Sequence, residues 1–235
     1  MSKKVAILQS NYIPWKGYFD IIRQVDEFIF YDDVKYTKND WRNRNRIMTM
    51  QGARWLTIPC GEPTHQRIEE VRIDKNPWQK QHFELLAWNY KKAPFWSALE
   101  PFLKETYLDR TWEYLSDFNQ SFITRVTRDY LGCDTAFAQS SAFTLKGAKE
   151  DRLLDLLEQA GATHYLSGPA ARDYLKAESF AERGIQLEYM DYSGYPEYPQ
   201  LHGSFDHAVS ILDLLLNTGG DALRYMKPCG RSGAA

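Results

Sequence analysis

The sequence predicts an α/β fold: a Rossmann-like parallel sheet flanked by helices, with a helical insertion in the middle of the chain. Three observations carry this. The first 31 residues read strand, helix, strand, the pattern of a βαβ unit with parallel strands. An alternation of short strands and helices returns after residue 145. Between them, apolar residues recur at helical spacing.

Element by element, Val5-Ala6-Ile7-Leu8 reads as a buried first strand. SNYIP carries turn formers, and Pro14 suits a first helical turn. Tyr18, Ile21, Ile22 and Val25 fall on one helix face. Phe28 to Tyr31 is a second strand, closed by Asp32-Asp33. Residues 34–50 are polar and charged; Arg54 to Pro59 is a candidate third strand, and Glu70 to Asp74 alternates like an edge strand. Phe83, Leu86, Ala87 and Tyr90 form one helical stripe. Trp112, Leu115, Phe118, Phe122 and Val126 form another, with Gly132 as its cap. Leu153, Leu156, Leu157 and Ala160 make a helix closed by Gly161; Thr163 to Leu166 is a strand. A helix of about a dozen residues follows Gly168-Pro169 and stops at Gly184. Ile185 to Met190 is a further strand, and a last helix runs from about Asp206 to Asn217. The whole reads as one α/β domain over residues 1–228, with the insertion at about 75–135 and a flexible tail over 229–235.

Lys plus Arg total 29 and Asp plus Glu 31, a net charge of −2, which argues against coating nucleic acid. Hydrophobic residues at 43% and charged residues at 26% argue against global disorder. No apolar run is long enough to span a bilayer, and Val5 to Leu8 is too short for a signal-peptide core, so a cytoplasmic location is expected. Cys60, Cys133 and Cys229 lie far apart without CxxC spacing and read as free thiols. Aromatics are the outlier, at 14% of the chain.

Four features can carry chemistry. Gln9 to Tyr18 places a loop and helix start at the carboxyl edge of the first strand, where open α/β sheets bind ligands. Gln9, Ser10 and Asn11 offer hydrogen bonds, Trp15, Lys16 and Tyr18 flank the turn, and Gly17 permits close approach. The plain alternative is that Trp15 and Tyr18 pack the helix on the sheet. Second, residues 35–46 hold Lys35, Lys38, Arg42, Arg44 and Arg46 against Asp40. If 42–46 is extended, the three arginines share one face, suited to phosphate or carboxylate, and Asn43 and Asn45 the other. Trp41 adds a ring, and Asp32 and Asp33 can hold a ribose, a sugar amine or Mg²⁺. The alternative is a solvated charged loop. Third, Tyr189, Tyr192, Tyr195 and Tyr198 recur every three residues, so in polyproline II geometry the later rings line one side and suit a sugar, a base or a partner. His202 is a candidate acid or base. Fourth, Ser167-Gly168-Pro169 is a strand-to-helix turn whose N–H groups suit an anion, without the surroundings of a nucleophilic serine. Cys60 is a conceivable thioester nucleophile, outweighed by the reading as a buried thiol. Walker A, GxGxxG, HExxH and EF-hand patterns are absent, and no metal ligands are assigned.

The stretches LQSNYIPWKGYFDII, VDEFIFYDDVKYTKNDWRNRNRI, RWLTIPC, LEQAGATHYLSGPAARDYL and MDYSGYPEYPQLHGSFDHAVSILDLLLNTG resemble the WbqC-like protein family. The resemblance implies a place in bacterial O-antigen, capsule or flagellar-glycan biosynthesis and addition of acyl or aminoacyl groups to amino sugars. In layout, PWKGYFDII with the following strand and DDVKY is similar to the HxGH nucleotidylyltransferase and pantothenate synthetase group. Trp15-Lys16-Gly17-Tyr18 stands in the place of H-x-G-H, with only Gly17 matching. The leading expectation is therefore a transferase acting on the amine of a nucleotide-linked amino sugar. Its donor would be an acyl or aminoacyl group on coenzyme A or an acyl carrier protein. Asp32, Asp33 or His202 would serve as base, and the arginines and tyrosines as binding groups. The alternatives are a nucleotide-dependent ligase or nucleotidylyltransferase, and a non-catalytic glycan- or partner-binding module. The aromatic surface also suits a homodimer.

Overall fold

A computed structural model describes residues 2–63 and 65–229. Apart from Cys229, the tail expected at 229–235 lies outside the described residues. Five strands, β1 (Lys4–Leu8), β2 (Glu27–Phe30), β5 (Ala136–Gln139), β6 (His164–Ser167) and β7 (Gln186–Tyr189), form a parallel sheet in the order β5-β2-β1-β6-β7. Two further strands, β3 (Arg44–Thr49) and β4 (Gly52–Thr57), make a separate antiparallel hairpin.

Strand alternation divides the core in two. Ala6, Phe28 and Phe30 face a large apolar cluster that includes α1 (Lys16–Arg23), α4 (Leu115–Arg125) and α7 (Ile211–Thr218). Val5, Ile7 and Ile29 face the other way, onto α5 (Lys149–Gln159) and α6 (Ala177–Ala181). Helices cover both faces because both faces are apolar. The middle of the chain is helical, as expected: α2 (Trp78–Tyr90), α3 (Trp96–Lys104) and α4. The last turns of α3 and α4 widen to π-helical geometry over 105–109 and 126–130. Gly161 closes α5 at φ 67°, a left-handed conformation that suits glycine.

Several expectations change. The third strand is β4, and it pairs with β3 from the polar, charged 34–50 stretch, outside the main sheet. The edge strand at 70–74 is replaced by a short 3₁₀ turn over Ile68–Glu70 and a single bridge from Arg72 to Tyr114. The long helix after Gly168 is a 3₁₀ turn (Pro169–Asp173) followed by the five-residue α6. The last helix begins at Ile211 because Ser210 caps it, its hydroxyl accepting from Leu212 N–H. β5 was not foreseen at all.

Candidate functional site

From β1 the chain builds outward through β2 and β5, then crosses back to place β6 and β7 on the other side of β1. The boundary between β1 and β6 is thus the point where strand order reverses, and ligands of such sheets sit there, at the carboxyl edge. A cleft of about 790 Å³ opens at this place. Gln9, Tyr31, Arg42, Lys149, Tyr174 and Lys176 line it. In a parallel sheet each crossover helix starts at the carboxyl edge, which brings Lys149, the first residue of α5, to the rim. Lys149 has a φ of 51°, an uncommon value for a residue other than glycine.

The loop after β1 is held from several sides. Asp32 is buried; Ser10 N–H donates to its Oδ1 and Gln120 Nε2 to its Oδ2, each at 2.8 Å. Burial raises the Asp32 carboxyl above its usual range, and these hydrogen bonds oppose the rise. Tyr18 Oη donates to the Gln9 carbonyl at 2.9 Å. Asn45 Nδ2 donates to the carbonyls of Tyr12 and Ile13, at 3.1 Å each. Between these anchors Ile13 sits at φ 34°, a strained value for a β-branched residue.

The two aspartates do not converge. Asp32 faces the α4 side with Gln120, whereas Asp33 faces α5, where it pairs with Arg152 and accepts from Ser140 Oγ. Consecutive residues leaving a strand point to opposite faces, so a shared Mg²⁺ or sugar amine between them is corrected by the geometry. His202 is separate from both: its Nε2 donates to the Asn89 carbonyl at 2.7 Å, beside the hairpin.

The basic run also divides. In β3, Arg44 and Arg46 share a face and both lie against Trp55, with guanidinium-to-ring distances of 4.5 and 5.9 Å. Arg46 further donates to the Ala208 carbonyl at 2.8 Å. Arg42 precedes the strand and alone reaches the large cleft. Asn43 Nδ2 donates to the Ile58 carbonyl at 3.0 Å, and Trp41 packs on Trp55. Lys38 is exposed and pairs with Glu62. Ser167 is buried at the end of β6, its carbonyl accepting from Met190 N–H. Cys60 is buried and its thiol is pushed up to about 12, which removes the thiolate needed for nucleophilic chemistry.

The late tyrosines gather around Lys16 instead of lining open surface. Tyr192 and Tyr195 meet the Trp15 ring at 5.0 and 5.9 Å. Tyr195 and Tyr198 present their faces to Lys16 Nζ, with centroids at 4.5 and 5.2 Å. Tyr195 Oη donates to Asp20 at 2.6 Å and Tyr198 Oη to Asp213 at 2.8 Å. Tyr189 lies apart in β7, under the Arg172 guanidinium. Gly17 has a packing role rather than a ligand-facing one: a Cβ there would lie 2.3 Å from the Trp15 indole.

Residues 9–225 match the family described as the WbqC-like protein family. The chain belongs to this family. A similar protein is "Uncharacterized protein Rv1507c" of Mycobacterium tuberculosis (strain ATCC 25618 / H37Rv), 47% identical over 229 residues, which cover 97% of this chain and 99% of that protein. No solved structure gives a significant match. No helix among the described residues is long and apolar enough to cross a membrane.

In this WbqC-like chain the Trp15-Lys16-Gly17-Tyr18 segment does not present phosphate-binding groups in the place of H-x-G-H. Lys16 is enclosed by tyrosines, Tyr18 braces the loop, and none of the four lines the large cleft. Of the residues singled out from sequence, the fold brings Gln9 and Arg42 together there. Lys149, Tyr174 and Lys176 were missed. The available signal for Lys149 was its place at the start of a crossover helix; Tyr174 lies inside the SGPAARDYL stretch that resembles the family and Lys176 directly after it, but neither carried a chemical signal of its own.

Proposed function

We propose that this WbqC-like chain transfers an acyl or aminoacyl group to the amine of a nucleotide-linked amino sugar, in bacterial surface-glycan biosynthesis. The supporting observation is the cleft at the strand-order reversal, where Arg42, Lys149 and Lys176 stand with Tyr31 and Tyr174. Three cations against one lining carboxylate, Glu150, with Arg42 also paired to Asp40 at 2.6 Å, leave a net positive cleft suited to a diphosphate, which guanidinium and ammonium groups bind by charge-assisted hydrogen bonds. The tyrosine rings suit a base or a sugar face. The volume lies within the roughly 300–1,000 Å³ usual for small-ligand sites.

In this reading the sugar amine lies at the Gln9–Asn11 end, and the donor is a thioester of coenzyme A or of an acyl carrier protein. The neutral amine attacks the acyl carbon, a C–N bond forms and the C–S bond breaks. Nitrogen releases one proton, which solvent carries to the leaving thiolate, and keeps one N–H in the product amide. Asp32 contributes by holding Ser10 and the loop, since protein donors already occupy both of its oxygens.

The test is incubation of the purified protein with nucleotide-linked amino sugars and a panel of short acyl and aminoacyl thioesters, followed by mass spectrometry. A product heavier by the acyl group is expected. No mass gain across the panel with folded protein overturns the reading. Pyrophosphate release from a nucleoside triphosphate would replace it with nucleotidyl transfer.

A further inference from the structure

Two stretches of the chain hold none of its 31 acidic residues: 41–61, with four arginines, and 85–99, with two lysines. The fold sets the second half of one beside the start of the other. β3 and β4 turn at Met50-Gln51, and α2 ends at Tyr90 next to that turn, where Met48 N–H donates to Tyr90 Oη at 2.9 Å. A groove of about 140 Å³ runs between them, with Met50 and Arg54 on the hairpin side and Leu85 and Trp88 on the helix side.

The groove is apolar within and positive at its rim. Met50 is 68% exposed and Trp88 69%, so most of each side chain is left for something outside the chain. Arg54, Lys91 and Lys92 are exposed and make no ion pair among the described residues. The Lys91 ammonium lies 5.9 Å from the Trp88 ring. The acid that precedes this part of α2, Glu84, is paired with Lys80 at 3.8 Å. Trp, Met and Arg around a small recess, ringed by free cations, are the makeup of a face that binds protein. A recess takes one apolar side chain from a partner helix, and the cations call for carboxylates beside it.

Position selects the partner. Arg42, just ahead of β3, lines the large cleft. The six residues of β3, at about 3.4 Å each, carry the chain about 20 Å from there to the turn. A carrier protein, small, acidic and helical, holds its acyl thioester on a flexible phosphopantetheine arm of similar reach. Coenzyme A has the same arm and no protein surface, so the groove gives it nothing.

We infer that the groove between the hairpin turn and the end of α2 docks an acidic helix of the protein that carries the acyl donor. Arg54, Lys91 and Lys92 meet its carboxylates, and an apolar side chain enters between Met50 and Trp88. The inference rests on the transfer reading above and chooses between its two donors, the carrier protein over coenzyme A.

The experiment titrates holo acyl carrier protein into the full chain by calorimetry at low and high salt. A dissociation constant of about 1–100 μM is expected, as for a transient encounter. Raising the salt from about 50 to 300 mM should weaken it about tenfold. Trp88→Ala, and separately Arg54→Glu with Lys92→Glu, should each weaken it about tenfold or more. These positions are exposed, and circular dichroism checks that the variants fold. The same variants should slow transfer from the carrier thioester and leave transfer from the coenzyme A thioester unchanged. No binding at low salt, or binding that these substitutions do not alter, overturns the inference. Retention on phosphatidylglycerol vesicles without binding of the carrier replaces it with a lipid surface. Docking needs no turnover, so the two readings fail separately. A carrier that docks and yields no product removes the transfer reading and leaves the docking surface. Transfer from coenzyme A thioesters with no binding of the carrier removes the docking surface alone.

Discussion

Lys16 carries an amine where water scarcely reaches. It is 2% exposed, and Nζ finds no hydrogen-bond partner among the described residues. Burial lowers the amine from 10.5 to about 8, with the Asp20 carboxylate opposing the change. At about 1.36 kcal/mol per pH unit, that lowering corresponds to roughly 3 kcal/mol against the charged form. The two tyrosine faces return about 1–2 kcal/mol, so desolvation wins. Lys16→Met keeps an unbranched stem and deletes the charge. Below about pH 8 the folded and unfolded wild-type chains both hold the proton, and the penalty stands in full. Between about 8 and 10.5 the unfolded chain holds more protons than the folded one, so this group's contribution to wild-type stability rises with pH. The variant should therefore be about 1–2 kcal/mol more stable near neutral pH, with the advantage shrinking toward about pH 9.5. Urea unfolding of both chains at stepped pH measures it; at a slope of about 2–3 kcal/mol per molar, the midpoint moves by roughly 0.5 M. Burial also raises Tyr195 and Tyr198, so ionisation of the unfolded chain's tyrosines lowers the stability of both proteins at higher pH. Taking the difference between the two proteins removes that common part. A variant no more stable than wild type near neutral pH, or a difference that does not change with pH, refutes the reasoning.

Gly17→Ala forces a methyl into the Trp15 indole and should cost about 1–3 kcal/mol, read as a lowered Tm. Asn45→Ala frees the Tyr12 and Ile13 carbonyls and should destabilise by about 1–3 kcal/mol, with faster hydrogen exchange over residues 10–15. Arg42→Ala should weaken binding of a nucleotide diphosphate sugar about 10–100-fold in calorimetry. Lys38→Ala, at an exposed pair with Glu62, should leave that affinity unchanged.

The inner strands β1 and β2 were legible because both faces of the sheet are covered: Val5–Leu8 and Phe28–Tyr31 read as near-continuous apolar runs. β5 was not, because Ala-Phe-Ala-Gln is short and weakly apolar, and it is a strand by virtue of pairing with β2. The hairpin was half-legible. Arg44 and Arg46 do share a face, but the ring between them belongs to Trp55 on the partner strand, which spacing along one strand does not reveal. The divergence of Asp32 and Asp33 was readable from strand alternation alone. The enclosure of Lys16 was not, since it requires Tyr195 and Tyr198 to fold back across nearly the whole length of the chain. Gln9 and Arg42 were found through general rules about sheet edges and guanidinium chemistry. Their neighbours Tyr174 and Lys176 sit in an irregular connection where no such rule applies.

A cleft of about 320 Å³ lined by Asn11, Pro14, Trp15, Trp41, Asn45 and Ala208 takes its walls from opposite ends of the polypeptide. Ile211 N–H donates to the Pro14 carbonyl at 2.8 Å, Ser210 N–H donates to the Arg46 carbonyl at 2.8 Å, and Arg46 holds the Ala208 carbonyl. Contacts of such sequence separation form late, because a long loop must close first. During synthesis the β1–α1–β2 unit emerges early and can fold, while the cleft beside Asn11 waits for the segment around residue 210. A chain cut short before that segment has the first part of the sheet but an open wall beside Asn11, so the cleft is complete only on a nearly finished protein.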